Sequence, residues 1–240
     1  MPEDEASTRR FAILIDGDNA SPALLGSMMD EIGGHGTGAV RRIYGDWASG
    51  RLNNWKDALH EHAFQAVQQH SFTRGKNATD SRLIIDAMDL LHTMPIDAFA
   101  IISSDSDYTG LAKRLRESGK YVLGIGEKKT PEAFVRACDK FVFTELLQRA
   151  KPARRGKAGP AEPKPAKGSP EDLDDLLLEA IESVQGEDGY ANLSQIRAWL
   201  QQRDPGFDPR AYGKRQLSQL FDKERFEFRR DNPHYVRVRD

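Results

Sequence analysis

Short apolar runs alternate with amphipathic helical patterns through residues 11–147 of this chain. The runs FAILI (11–15), AFAII (98–102) and YVLGI (121–125) have the length and composition of buried strands. Between them lie segments with apolar residues at helical spacing, most clearly TDSRLIIDAMDLLH at 79–92. This alternation favours a parallel sheet with helices on both faces. The sequence therefore predicts an α/β domain over residues 11–149, preceded by a disordered tail at 1–10.

A second, smaller domain is predicted after a change in composition. Residues 150–170 are rich in Lys, Arg, Pro, Gly and Ala and hold almost no residue that could join a core, so we expect a basic flexible linker. Residues 171–240 return to amphipathic patterns and end in two alternating segments that indicate a hairpin. The predicted helices span 172–184, 193–202 and 211–222. Three helices and a hairpin predict a winged-helix-like α+β domain.

Composition and charge exclude several classes of protein. Lys and Arg total 35 against 37 Asp and Glu, so any binding of nucleic acid must rest on local patches. The single cysteine, Cys138, excludes an intramolecular disulfide framework and a cysteine-based zinc site. The opening MPEDEASTRR lacks the apolar core of a signal peptide, and no apolar run is long enough to cross a membrane. We expect a cytoplasmic protein without a membrane partner.

Acidic residues follow two of the predicted strands. Asp16 comes directly after the run at 11–15, and Asp105 and Asp107 follow the run at 98–102. Because the carboxyl ends of parallel strands meet at one edge of a sheet, these side chains are expected to lie together. Asp80, in the first turn of the helix at 79–92, is the third candidate ligand, while Asp107 could instead cap a helix that begins at residue 108. Carboxylates are the ligands that Mg²⁺ prefers, so Asp16, Asp80 and Asp105 are predicted to bind Mg²⁺ or Mn²⁺.

Charged residues around Asp80 are expected to have different roles. Arg74 and Lys76 lie just upstream of the helix, in a basic loop suited to contacts with phosphate. Asp86 and Asp89 point away from Asp80 on the helical wheel, which favours ion pairing or solvation, with a sideways approach of Asp86 to the site as the alternative.

Glycine spacing argues against a nucleotide cofactor. GIGE at 124–127 lacks the spacing of a dinucleotide-binding loop, and GGHGTG follows a helix instead of opening one. We therefore predict that the protein binds no nucleotide cofactor.

Three ordered motifs resemble the NYN family of PIN-like nucleases. They are FAILIDGDNA, RGKNATDSRLIIDAMDLL and AFAIISSDSDYTGLAKRLRESG, within residues 11–147. The resemblance implies a Rossmann-like three-layer α/β fold and RNA phosphodiester hydrolysis with Mg²⁺ or Mn²⁺. Carried over position by position, it implies a catalytic set made of Asp16, Asn19, Asp80, Asp105 and Asp107.

The C-terminal segment GYANLSQIRAWLQQRDPGFDPRAYGKRQLSQLFDKERFEFRRDNPHYVRVR is similar to the OST-HTH (LOTUS) domain. The resemblance implies binding of RNA or of a protein partner. Arg210, Lys214 and Arg215 flank one predicted helix and are our candidates for RNA contacts, against the alternative of a solvated charged face.

The function predicted from these patterns is metal-dependent ribonuclease activity, endonucleolytic, with an RNA-binding C-terminal module. One alternative is a non-catalytic RNA-binding or adaptor protein. Another is a haloacid-dehalogenase-type phosphatase, because Asp16-Gly17-Asp18 fits its nucleophile and acid, although Ala20 departs from its pattern and Asp80 has no role there. The sequence leaves open the RNA, the metal and whether the protein forms a homodimer.

Overall fold

The structure is a computed structural model that describes residues 9–69, 78–148, 170–229 and 232–239. It divides into two compact units, Met1–Pro152 and Ala153–Asp240, each with its own apolar core. Arg74 and Lys76, most of the expected linker and residues 1–8 lie outside the described residues. The side chains of residues 78 and 79 and of 170–172 are not described either.

The first unit is built on a six-stranded sheet in which every neighbouring pair is parallel. Its strands are β1 (Arg10–Asp16), β2 (Thr37–Gly45), β3 (Gln65–Gln68), β4 (Ala98–Ile102), β5 (Tyr121–Gly126) and β6 (Lys140–Phe143). The strand order is β3-β2-β1-β4-β5-β6, so the chain winds outward from β1 in one direction and from β4 in the other. The carboxyl ends of β1 and β4 therefore form the switch point at which open α/β sheets bind ligands.

Helices cover both faces of this sheet, as predicted. They are α1 (Leu25–Gly33), α2 (Lys56–Glu61), α3 (Ala78–Thr93), α4 (Thr109–Glu117), α5 (Glu132–Ala137) and α6 (Thr144–Gln148). Alternate residues of β1 point to opposite faces: Ile13 packs in one core with Leu25 of α1, and Leu14 packs in the other with Leu83 of α3. The predicted three-layer α/β fold is confirmed.

The second unit combines two helices with a small antiparallel sheet. Its helices are α7 (Pro170–Val184) and α8 (Leu193–Arg203), and its strands, in the order β7-β9-β8, are β7 (Ala191–Asn192), β8 (Phe226–Phe228) and β9 (Tyr235–Val238). The predicted α+β class and the β8–β9 hairpin are confirmed. In the described ranges of the chain, no helix has the length and apolar character needed to cross a bilayer.

The helix predicted over residues 211–222 is wrong. Two short 3₁₀ turns, Pro209–Tyr212 and Leu217–Gln219, take its place. Gly213 separates them with a φ of 74°, in the left-handed region that ends helices and that glycine adopts without strain. Leu217 and Leu220 still reach the core, since a spacing of three residues also fits a 3₁₀ turn.

Candidate metal centre

Asp16 ends β1 with its carboxylate completely buried at the switch point. Its Oδ2 accepts hydrogen bonds from Asn19 Nδ2 at 2.7 Å and Ser103 Oγ at 3.0 Å. Its Oδ1 accepts from the backbone N–H of Asp18 at 3.2 Å. Burial raises the pKa of Asp16, and the hydrogen bonds from Asn19 and Ser103 oppose that rise. Asp16 thereby ties the loop after β1 to the end of β4.

Tyr108 connects Asp16 to the next acidic residue. Its hydroxyl donates to Asp80 Oδ1 at 2.7 Å and lies 3.4 Å from Asp16 Oδ2. The ring is fully buried, and desolvation together with the charge of Asp16 raises the pKa of the phenol. The hydroxyl therefore stays protonated and can donate a hydrogen bond to a carboxylate. In the sequence Tyr108 marks only the start of a helix, and nothing in the local pattern identifies its two carboxylate neighbours.

Asp80 lies in the first turn of α3 with 8% of its surface exposed. Burial is the main cause that raises its pKa, and the charges of Asp16, Asp105 and Asp107 add to the rise. The hydrogen bond from Tyr108 acts in the opposite direction. The negative charges of its neighbours thus repel the Asp80 carboxylate, and a bound cation would reduce this repulsion.

Asp105 precedes the 3₁₀ turn Ser106–Tyr108 that leads into α4, and Asp107 is the middle residue of this turn. Asp105 Oδ1 accepts from the backbone N–H of Asp107 at 2.9 Å, so Asp105 caps this turn. The alternative that Asp107 caps the following helix is wrong, because α4 begins at Thr109, its N-cap residue is Tyr108, and no side chain caps it. Ser103 Oγ accepts from the backbone N–H of Asp105 at 3.1 Å, which fixes this loop to the Asp16 side of the site.

Three of the carboxylates converge. Asp80, Asp105 and Asp107 each offer one oxygen, and the three oxygens lie within 4.8 Å of one another. Two ligands on opposite sides of one Mg²⁺ are about 4.2 Å apart, twice its bond length of about 2.1 Å. The donor set therefore fits a hard divalent cation that contacts the carboxylates directly or through one of the waters that Mg²⁺ keeps. We call Asp80, Asp105 and Asp107 the acidic cluster.

Asp16 adjoins the acidic cluster. The structure brings Asp80 and Asp105 together with Asp107, and the Tyr108 hydroxyl lies within hydrogen-bond distance of both Asp80 and Asp16. Of the three neighbouring carboxylate charges that raise the pKa of Asp80, that of Asp16 has the largest effect. Asn19, also a predicted site residue, donates to Asp16 at 2.7 Å. The roles of Asp16 as a ligand and of Asn19 as a site residue stay predictions.

Asp86 has the ion-pairing role that its position on α3 predicts. Its Oδ2 accepts from Arg42 Nη1 at 2.6 Å and from the hydroxyl of Tyr44. Arg42 and Tyr44 both belong to β2, so the contact holds α3 against the sheet. It steadies the helix that carries Asp80 without belonging to the acidic cluster.

The basic side chains of the second unit that are predicted to contact RNA differ in their exposure and in their ion pairing. The Arg210 guanidinium binds Asp208 through Nε, at 2.9 Å and 3.0 Å to the two carboxylate oxygens. Lys214 and Arg215 are exposed next to Gly213, between the two 3₁₀ turns. An unpredicted feature is the stacking of Arg229 over the rings of Tyr190, at 4.4 Å, and Tyr235, at 5.1 Å.

Two domain families match this chain. The family model of the NYN domain matches residues 10–147, and the family model of the OST-HTH/LOTUS domain matches residues 168–229. No curated protein matches this chain.

Two solved structures are weakly similar to the chain. A protein of unknown function from Vibrio parahaemolyticus RIMD 2210633, VPA0982, is 16% identical with a TM-score of 0.49, over 58% of this chain and 94% of that one. The WlbA dehydrogenase from Bordetella pertussis, in complex with NADH and UDP-GlcNAcA, is 15% identical with a TM-score of 0.33, over 74% of this chain and 40% of that one. Likenesses this low carry no functional argument.

The NYN match covers more than half of the chain and includes the whole six-stranded sheet with the acidic cluster at its edge. The OST-HTH/LOTUS match coincides with the helices and sheet of the second unit as far as residue 229. The chain therefore belongs to the NYN family, with an OST-HTH/LOTUS domain as its second unit.

Proposed function

We propose that this protein is a ribonuclease that hydrolyses RNA internally with the help of Mg²⁺ or Mn²⁺. The observation that carries the proposal is the convergence of Asp80, Asp105 and Asp107 at the switch point of the sheet. The NYN domain is of PIN-like nuclease type, and the OST-HTH/LOTUS domain is an RNA-binding type, so the two units together supply a reaction centre and a means of holding substrate.

The acidic cluster holds the divalent cation. Burial increases from Asp107, which is exposed, through Asp105 to Asp80, so the cluster has one open side from which a phosphodiester can approach. Asp80, Asp105 and Asp107 would hold the cation, which would supply a water of lowered pKa and neutralise negative charge on the phosphate.

The residues next to the cluster set its geometry. Tyr108 donates to Asp80 and favours its ionised form, which is the form that binds a metal. Asp16 accepts from Ser103 and Asn19 through Oδ2, and its Oδ1 accepts from the backbone N–H of Asp18. A carboxylate offers about four lone-pair sites, so Asp16 can also bind the metal, and we keep it as a proposed ligand. Asn19, which donates to Asp16, acts as a positioning residue.

RNA is held by cations outside the cluster. Lys214 and Arg215 are exposed and can track a phosphate backbone, whereas Arg210 contributes mainly to its pair with buried Asp208. Arg74 and Lys76 precede α3 and remain candidates for contacts next to the scissile phosphate.

The phosphatase alternative finds no support in the geometry. Its nucleophile would be Asp16, but this carboxylate is completely buried and both of its oxygens already accept hydrogen bonds. A nucleophile must reach the phosphorus atom of its substrate.

The test is incubation of the full chain with mixed RNA and with single-stranded DNA in Mn²⁺, Mg²⁺ or EDTA. We expect internal cleavage of RNA that EDTA stops and that Asp105→Asn abolishes. Asparagine is also a good cap, so this variant should keep its fold and, without metal, gain thermal stability through the loss of one repelling charge. Full activity in Asp105→Asn, or cleavage in EDTA, would refute the assignment.

A further inference from the structure

The second unit contains a groove between the start of α8, the second 3₁₀ turn and the β8–β9 hairpin. Its volume is about 710 Å³, within the range of about 300–1,000 Å³ that is typical of ligand pockets. The backbone N–H of Leu193 donates to the carbonyl oxygen of His234 at 2.9 Å, and both residues line the groove. The helix and the hairpin are therefore joined where they border it, so the groove is formed before any ligand binds.

The groove offers apolar surface that includes one aromatic ring. Leu193, Leu217 and Phe228 line it, and all three belong to or pack against the core of the second unit. Phe228 is only partly buried, and its ring lies perpendicular to that of Phe221, with the centroids 6.0 Å apart. On β8 it shares a face with Phe226, which is buried. The core thus holds the ring of Phe228 in place and leaves part of it accessible to a ligand.

The charged groups at the groove favour an anion. Arg197 of α8 lines the groove and is exposed, and its guanidinium makes no ion pair within the described ranges. Lys214 and Arg215 are also exposed and directly precede Gln216, which lines the groove. None of the lining residues in the described part of the chain carries a carboxylate. Opposite charge is therefore expected in the occupant and not in the protein.

An aromatic ring beside unpaired cations fits a nucleotide whose base is not already stacked. A base can stack on Phe228, while its phosphate binds the guanidinium of Arg197. Duplex RNA keeps its bases stacked inside the helix, whereas a single strand can splay them out onto aromatic side chains. A purely apolar peptide would cover the ring but leave the cations without a partner.

We propose that this groove binds an unpaired nucleotide of single-stranded RNA, with the base on Phe228 and the phosphate at Arg197. The proposal rests on the proposed function, in which RNA is the ligand of the second unit, and it adds the site and the form in which RNA is held. Lys214 and Arg215 then contact neighbouring phosphates of the same strand.

The experiment measures binding to the full chain in EDTA, so that cleavage does not interfere. The probes are an oligouridylate, which does not pair with itself, and an abasic oligomer of equal length with the same phosphates. Phe228→Leu keeps apolar bulk but removes the ring, so it should weaken oligouridylate binding about tenfold and leave abasic binding unchanged. Arg197→Gln should weaken the binding of both probes and lower the slope of log affinity against log salt by about one.

Each variant has a matched control in the same unit. Trp199→Leu removes a partly buried ring of α8 that does not line the groove, and Lys223→Gln removes an exposed cation that does not line it either. Both controls should bind the two probes as the wild type does. An unfolded second unit would lose both probes together, so a loss confined to oligouridylate cannot come from misfolding.

The outcomes separate this proposal from the ribonuclease function. Equal weakening of both probes by Phe228→Leu overturns the base-binding role. Wild-type affinity in both Phe228→Leu and Arg197→Gln overturns the groove as an RNA site and leaves it to a protein partner, while Mn²⁺-dependent cleavage by the same chain keeps the ribonuclease standing. Base-dependent binding that requires Phe228, in a chain that cleaves no RNA, supports the groove and removes the ribonuclease.

Discussion

The hydroxyl of Tyr108 donates to Asp80 Oδ1 at 2.7 Å, and it does so from a ring that is fully buried between α3 and α4. This bond is the direct link between the buried carboxylate of Asp16 and the acidic cluster. It favours the charged form of Asp80 in surroundings that otherwise favour the neutral form. The ionisation of the cluster therefore depends on a side chain that binds no metal.

Tyr108→Phe should move the pH dependence of activity to higher pH. The hydrogen bond from Tyr108 lowers the pKa of Asp80, so its loss lets burial raise that pKa further. The free energy of unfolding should also fall by about 1–3 kcal/mol, because two buried carboxylates lose a donor. The measurements are cleavage rate against pH and urea unfolding. Tyr121→Phe is the control. Tyr121 is also largely buried, but it stacks on Arg9 away from the cluster. The pH dependence of cleavage by this variant should therefore match that of the wild type. An unshifted profile in Tyr108→Phe would contradict the role given to the hydroxyl.

Asp80→Asn should stabilise the metal-free protein more as the pH rises. The pKa of Asp80 is raised in the folded state, so the folded state holds this proton more tightly than the unfolded state. The contribution of Asp80 to stability is therefore present below its unfolded pKa of 3.8 and is lost as the pH rises through the folded value. Asparagine does not titrate and avoids this loss. Unfolding by urea in EDTA, between about pH 4 and pH 8, measures the difference between variant and wild type. A difference that shrinks with rising pH would show that Asp80 is not destabilised by its neighbours.

Asp86→Asn should lower stability without removing the chemistry. Asp86 accepts from Arg42 and Tyr44, and weakening bonds to a charged acceptor should cost about 2 kcal/mol of unfolding free energy. Well below its melting temperature, the variant should still cleave RNA, because Asp86 does not belong to the acidic cluster. It is the matched comparison for Asp80→Asn on the same helix, in which we expect activity to be lost while the fold remains. Equal loss of cleavage in both variants would mean that the position of α3, and not the Asp80 carboxylate, limits the reaction.

Replacing both Lys214 and Arg215 by alanine should weaken RNA binding most at low salt. Each exposed cation that neutralises a phosphate contributes about one unit to the slope of log affinity against log salt, so the slope should fall by about two. Filter binding of the full chain across a salt series provides the measurement. Lys223→Ala is the control, because it removes an exposed cation that follows the second 3₁₀ turn in sequence. It should change the slope less than the double variant does. Unchanged binding in the double variant would direct attention to a protein partner for this unit.

Local patterns in the sequence determined the elements and the edge at which the acidic residues meet. Runs such as residues 11–15 are apolar at every position, which is typical of a central strand with helices above and below it. An aspartate that directly follows such a run must lie at the carboxyl edge of the sheet. The positions of Asp16, Asp105 and Asp107 near the switch point follow from this reasoning. Asp80 was a candidate because it lies in the first turn of a strongly patterned helix, and the family resemblance adds Asn19.

Only the tertiary structure decided which polar atoms face one another. Tyr108 contacts Asp80, Arg42 reaches Asp86, and Asn19 and Ser103 enclose Asp16 because of the order of the strands and the packing of α3 and α4 on one face. Except for Asn19, which is three residues from Asp16, those partners lie 28 or more residues apart in sequence. Hydrophobic periodicity reports burial but not the direction of a hydroxyl or a carboxylate. The same limit explains residues 211–222, where leucines spaced for a helix sit in two turns separated by a left-handed glycine. Periodicity registers which side chains are buried, whereas the backbone path and the hydrogen-bond partners depend on contacts that form only when the whole domain folds.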